Sequence, residues 1–273
     1  MPIKKAPSYL VYLWPGRGLV LSGAIQAAEH RHAALQLTLG LNGPFKLRLK
    51  GGAWVTSTAV ILNGEAGHEL DGQGHGQANF YVEPDSPLGR TLEAKFLNGK
   101  LWGPLPEAPL APLRKKLQNL AKKPAPSAQA YALYGQVAEV LAGVEAVHSK
   151  LDERVLKALA VFDGLEEKKI SAAALAKRVF LSESRLSHLF QEQLGLPIRR
   201  YLLWLKVLDA CGRVNTDANI TEAAHAAGFT DAAHFTHTAR QLLGISPGML
   251  FQNRSFVKVQ VATRAWTEAP ASS

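Results

Sequence analysis

Residues 220–235 read Ile220-Thr-Glu-Ala-Ala-His-Ala-Ala-Gly-Phe-Thr-Asp-Ala-Ala-His-Phe235, and this stretch decides the fold of the C-terminal part. Ala223, Ala224 and Ala227 are small enough for two helices to cross closely. Gly228 supplies a turn where a positive φ is needed. Thr230 or Asp231 is placed to cap the next helix by accepting a bond from a free backbone N–H. Phe235 and Leu242 direct its apolar side back at the first helix, and Gly244 ends it. The pattern predicts a helix-turn-helix unit.

An earlier stretch repeats the pattern: Ser171-Ala-Ala-Ala-Leu-Ala-Lys-Arg-Val-Phe-Leu-Ser-Glu-Ser-Arg-Leu-Ser-His-Leu-Phe190. Ser171 and Ser182 are the expected caps, Leu186, Leu189 and Phe190 the buried side, and Gly195 the stop. Its turn has no glycine. Leu186 and Phe235, His188 and His237, and Gly195 and Gly244 share one shift of 49 residues. Between the units, Tyr201, Leu202, Leu205 and Leu208 recur at helical spacing within Pro197 to Arg213. A helix of that length spans about 25 Å. It suits two reading helices set about one DNA turn, ~34 Å, apart on one duplex face. The plainer alternative is an Ala-rich helical bundle. The doubled order of cap, apolar face and stop argues against it.

This part of the chain, from about Leu151 to Phe251, resembles the AraC/XylS family of bacterial transcription regulators. The resemblance is most specific at Ala226-Ala-Gly-Phe-Thr-Asp through Phe235 and at Leu243-Gly-Ile-Ser-Pro247. It departs from the family at three places. Ala239 stands where Phe is usual, which thins the second unit's core. Lys206 replaces an Arg of the linking helix, and Phe251 follows Leu250 where Tyr-Arg is common. The resemblance implies base-facing residues at Ser184, Ser187 and His188 in the first reading helix, and at Ala233, Thr236 and His237 in the second. Hydroxyls and imidazoles hydrogen-bond base edges, and Ala packs on a thymine methyl. Arg185, Arg240, Lys177 and Thr221 are the phosphate candidates. Each of these is also an ordinary choice for a solvated helix face. The two histidine positions often hold Arg in the family. A mostly neutral imidazole in its place implies weaker or more pH-dependent binding.

Charge alone does not locate a DNA site. The chain has 31 Lys+Arg against 22 Asp+Glu, a net +9 that suits an anionic partner. Residues 1–150 hold 16 basic and 10 acidic side chains, whereas 151–262 hold 14 and 11, so the expected DNA-binding part is the less basic one. Double-stranded DNA as partner therefore rests on motif geometry.

Up to residue 103 the sequence is punctuated by glycine and its apolar runs are short. Leu35, Leu37 and Leu39 alternate with Gln36 and Thr38, and Phe45, Leu47 and Leu49 with Lys46, Arg48 and Lys50. Period two predicts half-buried strands, and their number a β-barrel or a two-sheet roll. The family resemblance implies a cupin-like barrel that binds a small-molecule effector. The expected fold class is thus α+β multidomain: a cupin-like sensor barrel over 1–103, a connector and helical segment over 104–150, and a DNA-binding domain with two helix-turn-helix units over 151–262. Pro104 to Pro112 reads as a Pro-rich connector. Leu113, Leu117 and Leu120 then mark one helix. Ser127 is a candidate cap for the next, striped by Tyr131, Tyr134, Val137, Leu141 and Val144. That stripe either packs within the chain or forms a homodimer seam. Ser255–Val261 alternates weakly, and Glu268 to Ser273 reads as a frayed tail.

His30-x-His32 places two imidazoles on one side of a strand, as a cupin presents metal ligands. Gln36, however, stands where such a site wants Glu, and a neutral amide is a weaker ligand. The sequence leaves open whether His68 or His75 completes the group. The expectation is therefore no metal, no cofactor and no catalysis, with His30, His32, Trp54, His68 and Tyr81 lining an effector pocket. A cupin-type metal-dependent enzyme with a helical appendage is the alternative, as is a barrel that serves only to dimerise. RNA polymerase is an expected partner if the protein activates transcription.

The single cysteine, Cys211, cannot form an intramolecular disulfide. The apolar run Tyr9 to Trp14 stops at Pro15-Gly16, too short for a signal-peptide core or a membrane span. The expected setting is cytoplasmic, without a membrane.

Overall fold

The computed structural model describes residues 9–24, 26–64, 66–144, 151–163, 165, 170–215, 219–243 and 257–261. Its N-terminal strands are β1 (Tyr9–Trp14), β2 (Arg17–Ser22), β3 (Gln26–His30), β4 (Leu35–Gly40), β5 (Phe45–Leu49), β6 (Val55–Ser57), β7 (Ala59–Leu62), β8 (His68–Asp71), β9 (Gln77–Val82) and β10 (Trp102–Pro104). They form two sheets that do not join into a closed ring, so the two-sheet alternative holds rather than the barrel. One sheet runs β10-β7-β4-β9-β2-β1 and the other β3-β8-β5-β6, all antiparallel. A further strand, β11 (Val257–Val261), adds parallel to β1 and extends the first sheet to seven. The described part of that weakly alternating stretch, Val257–Val261, is thus a strand of the sheet domain, although it follows the helical part in sequence.

The larger sheet is buried on both faces. Leu10, Tyr12, Leu19, Leu35, Leu37, Leu39, Ile61 and Phe80 face one side, packed with Leu110, Leu113, Leu117, Tyr134, Val137 and Leu141. The latter belong to α2 (Glu107–Lys122) and α3 (Ser127–Ala142), which follow the short α1 (Pro87–Leu92). On the opposite side, Val60 and Leu62 meet Phe45, Leu47 and Leu70 of the small sheet. The remainder of that side, Val11, Leu13, Val20 and Tyr81, enters the core of the C-terminal helices. Each fully buried Leu or Val contributes about 1.5–3 kcal/mol. β4 therefore differs from the expected half-buried strand: Gln36 and Thr38 are as buried as the leucines. They are satisfied by one another and by Asn79, with Gln36 Nε2 donating to Thr38 Oγ1 at 2.9 Å and Thr38 Oγ1 donating to Asn79 Oδ1 at 2.8 Å. Alternation betrays the pleat; it does not reveal that a second layer covers the polar face.

Three local expectations change. The Pro-rich stretch is not an extended connector up to Pro112, because α2 starts at Glu107. Pro109 sits in its first turn, where a missing N–H costs little, and only Pro112 lies inside. Ser127 is the first residue of α3 rather than its cap. Its hydroxyl accepts from Trp14 Nε1 at 3.0 Å instead, tying the helix to β1. The stripe on α3 is largely used within the chain: Tyr134, Val137 and Leu141 are buried against the sheet, while Val144 stays exposed.

The C-terminal helices are α4 (Glu153–Asp163), α5 (Ala172–Arg178), α6 (Glu183–Leu194), α7 (Ile198–Asn215), α8 (Ile220–Ala226) and α9 (Ala232–Leu243). Phe162, Phe190, Tyr201 and Trp204 fill their common core. Cys211 lies within it, and burial pushes its thiol up to about 12, so it is an inert packing residue.

Candidate nucleic-acid interface

Each predicted helix-turn-helix forms, and the local signals account for it. Ser171 caps α5 by accepting from Ala174 N, and Ser182 caps α6 by accepting from Arg185 N. In the second unit Asp231, not Thr230, takes the cap: its Oδ1 accepts from His234 N at 2.7 Å. That bond is the leading reason the Asp231 carboxyl lies below its usual range. The sequence reading missed Asn219, which caps α8 and forms a capping box with Glu222. Its signal, Asn followed three residues later by Glu, was present. Gly195 stops α6 in the left-handed region at φ +71°; Gly244 lies outside the described residues.

The two turns are closer than their sequences suggest. Phe229 N donates to Ala224 O and Gly228 N to His225 O; Leu181 N donates to Ala176 O and Phe180 N to Lys177 O. These are the same bonds 48 residues apart, a helix-ending pattern with one left-handed residue. Gly228 takes that residue's φ at +81°, and Phe180 takes it at +57°. After the turn the shift becomes 49, because the second unit has one extra residue, Thr230, before its cap. Its hydroxyl lies 3.0 Å from His234 Nδ1.

The expected contact residues are outward. Ser184, Arg185 and His188 on α6, Ala233, His237 and Arg240 on α9, and Lys177 and Thr221 on the preceding helices are exposed; Ser187 and Thr236 are half-buried. His188 Nε2 lies 3.7 Å from Glu192 Oε2, one turn along α6. Hydrogen bonds from Arg154 hold the Asp152 carboxyl well below the usual carboxylate range, and the Arg185 charge adds a smaller effect in the same direction. α7, with 18 residues, spans about 27 Å and joins the units. Lys206, on this helix, reaches Gly228 O in the second turn at 3.4 Å. Ala239, where a larger residue was expected, is fully buried.

The first unit is seated on the sheet domain. Arg200 of α7 pairs with the buried Glu83 at 3.2 Å. Burial pushes that carboxyl up to about 7, with Arg200 pulling the other way. Arg90 Nη2 donates to Glu192 O at 3.4 Å. A Cβ on Gly195 would come within 2.1 Å of Ser86 N, so only glycine fits there. The second unit meets the sheet domain through Ala33 N donating to Gln241 O at 3.4 Å.

Of the expected effector-pocket residues, four come together. His30 and His68 are register partners on β3 and β8, with ring centroids 4.3 Å apart. His32 lies 5.4 Å from His68 and 5.3 Å from Tyr81. Burial lowers His32 to about 4 and His68 to about 3, so both are neutral. Trp54 does not join them; it is exposed on β5–β6 beneath the Arg48 guanidinium, 4.7 Å from its ring. His75 packs over Gly43 instead, which leaves His68 as the third histidine. Trp14, Phe45 and Phe80 are core residues. No helix among the described residues is long and apolar enough to cross a membrane.

Residues 175–253 match the family model described as a helix-turn-helix domain. The arabinose operon regulatory protein of Escherichia coli is 31% identical over 105 residues, 38% of this chain and 36% of that protein. A probable transcriptional regulator, LumQ of Photobacterium leiognathi, is 32% identical over 83 residues, 30% of this chain and 33% of that one. The matched part of the chain thus spans about a third of the length of these curated relatives. The crystal structure of ToxT from Vibrio cholerae O395 aligns over 89% of this chain and 99% of that one, at 11% identity and a TM-score of 0.48. Both turns are closed by the same bonds, and the match to the helix-turn-helix domain model over residues 175–253 takes in both of them.

Proposed function

We propose that the chain is a sequence-specific DNA-binding transcription regulator of the AraC/XylS type, with the sheet domain as the part that responds to a small molecule. The carrying observation is the pair of equivalent, outward-facing helices α6 and α9, each capped and each following the same turn. In this reading Ser184, Ser187, His188, Ala233, Thr236 and His237 face base edges, and Arg185, Arg240, Lys177 and Thr221 meet phosphates.

Selection of bound sequences from random duplex DNA by the full chain tests this. The expected product is a site with two major-groove elements about one turn apart, and affinity that falls steeply with salt. His237→Ala is expected to cost about 1–3 kcal/mol on that site and relax its preference, and Arg240→Ala to weaken all sequences about equally and flatten the salt slope. Absent or salt-insensitive binding across the library overturns the reading. An unchanged specific-to-non-specific ratio for folded His237→Ala removes that residue from the base-reading set.

A further inference from the structure

We propose that His30, His32 and His68 hold one divalent transition-metal ion of the zinc class between the two sheets. The proposal stands apart from the DNA-binding reading. The sequence alone argues against a metal, because Gln36 occupies the place of a carboxylate. What it leaves open is the third histidine, and the fold supplies it: one nitrogen from each ring lies within 4.8 Å of the others.

The orientation of the rings is the stronger observation. All three Nδ1 atoms face a backbone carbonyl two residues away: Ala28 at 2.9 Å, Ala34 at 2.9 Å and Ala66 at 2.8 Å. An Nδ1–H donated to a carbonyl leaves the lone pair on Nε2. This is how metal-bound histidines are held in tautomer and orientation. Nothing in ordinary strand packing requires the same arrangement three times in one cluster. The Nε2 of His68 is fully buried and has no hydrogen-bond partner. Buried polar atoms without a partner are rare enough to ask for an explanation.

Gln36 is compatible with this set. Its Oε1 lies 2.7 Å from His32 Nε2, while its Nε2 is spent on Thr38 and Asn79. In the tautomer whose Nδ1–H donates to Ala34, the His32 Nε2 lone pair faces that oxygen; in the other, Nε2–H donates to it. An ion held by both atoms selects the first tautomer and opens the gap to ~3.3 Å, the spacing of two ligands on a tetrahedral zinc. Three imidazoles and an amide oxygen suit zinc, cobalt or nickel, and lack the oxygen-rich shell that calcium or magnesium needs. With the amide oxygen as fourth ligand a tetrahedral shell is complete. The half-exposed His30 is the side from which the ion enters.

The test uses the full chain, stripped with a chelator, dialysed and titrated with Zn²⁺ and Co²⁺. One ion per chain is expected, with visible cobalt bands that zinc abolishes. His68→Ala is expected to weaken binding about 100-fold or more, and His75→Ala to leave it unchanged. Gln36→Glu, which adds a charge without changing size, is expected to tighten it about 10-fold. Well under one ion per chain at micromolar zinc overturns the proposal. So does a His68→Ala chain that binds like the parent, which would mark surface histidines as the ligands. Zinc binding is measured without DNA, so its failure and that of the regulatory reading are separable.

Discussion

The two helix-turn-helix units have the same internal design and different attachments. The first is locked to the sheet domain through the Arg200–Glu83 pair, the Arg90–Glu192 bond and the seat of Gly195 on Ser86. The second rests on α7 and reaches the sheet through the Ala33–Gln241 backbone bond. Among the described polar contacts the attachment of the first unit is the more extensive. The difference teaches that a repeated fold need not mean a repeated setting: one unit is the fixed arm, and the other is the more lightly hydrogen-bonded one.

The largest expected effect falls on the fixed arm. Gly195→Ala drives a Cβ into the Ser86 backbone and strains a left-handed residue. A loss of about 3–5 kcal/mol is expected in denaturant unfolding of the full chain. A loss below 1 kcal/mol would mean that the seat is loose and the two arms alike.

Next is the Glu83–Arg200 pair. A carboxyl raised to about 7 from its ordinary 4.5 favours the neutral acid in the fold. The stability that belongs to the neutral form is complete below pH 4.5 and is lost as pH rises through 7. The stability of the parent minus that of Glu83→Gln should therefore fall by on the order of 3 kcal/mol across that window. Parallel pH–stability curves would remove Glu83 from the account.

The smallest effects compare the turns. Phe180 holds a strained φ and its ring is 94% exposed, so the side chain contributes little. Phe180→Gly is expected to stabilise by about 0.5–1 kcal/mol, strain relief offset in part by unfolded-chain entropy. Gly228→Ala is expected to destabilise by about 1 kcal/mol. Effects of the same sign at both positions would show that the turns are not equivalent.

These contrasts mark what the sequence carries and what it does not. Caps, buried faces and glycine stops are local, so Ser171, Ser182 and Gly195 were readable at their own positions. The first turn was harder because a Phe fills a glycine's conformation, and only its hydrogen bonds identify it. Partnerships across the fold left no local mark. Glu83 gives no sign of Arg200, nor Ala33 of Gln241. His68 was one of two candidates until strand pairing set it against His30. Trp54 was misplaced for a similar reason: an aromatic residue near a strand looks alike whether it points inward or lies under an arginine.

The parallel pairing of β11 with β1 has a mechanical consequence. The helical part leaves the sheet domain after α3 and returns to it as β11, so it is an insert held by two tethers rather than a bead on one string. A body tied at two points, and packed on Val11, Leu13, Val20 and Tyr81 between them, loses the free swivel that a single linker would allow.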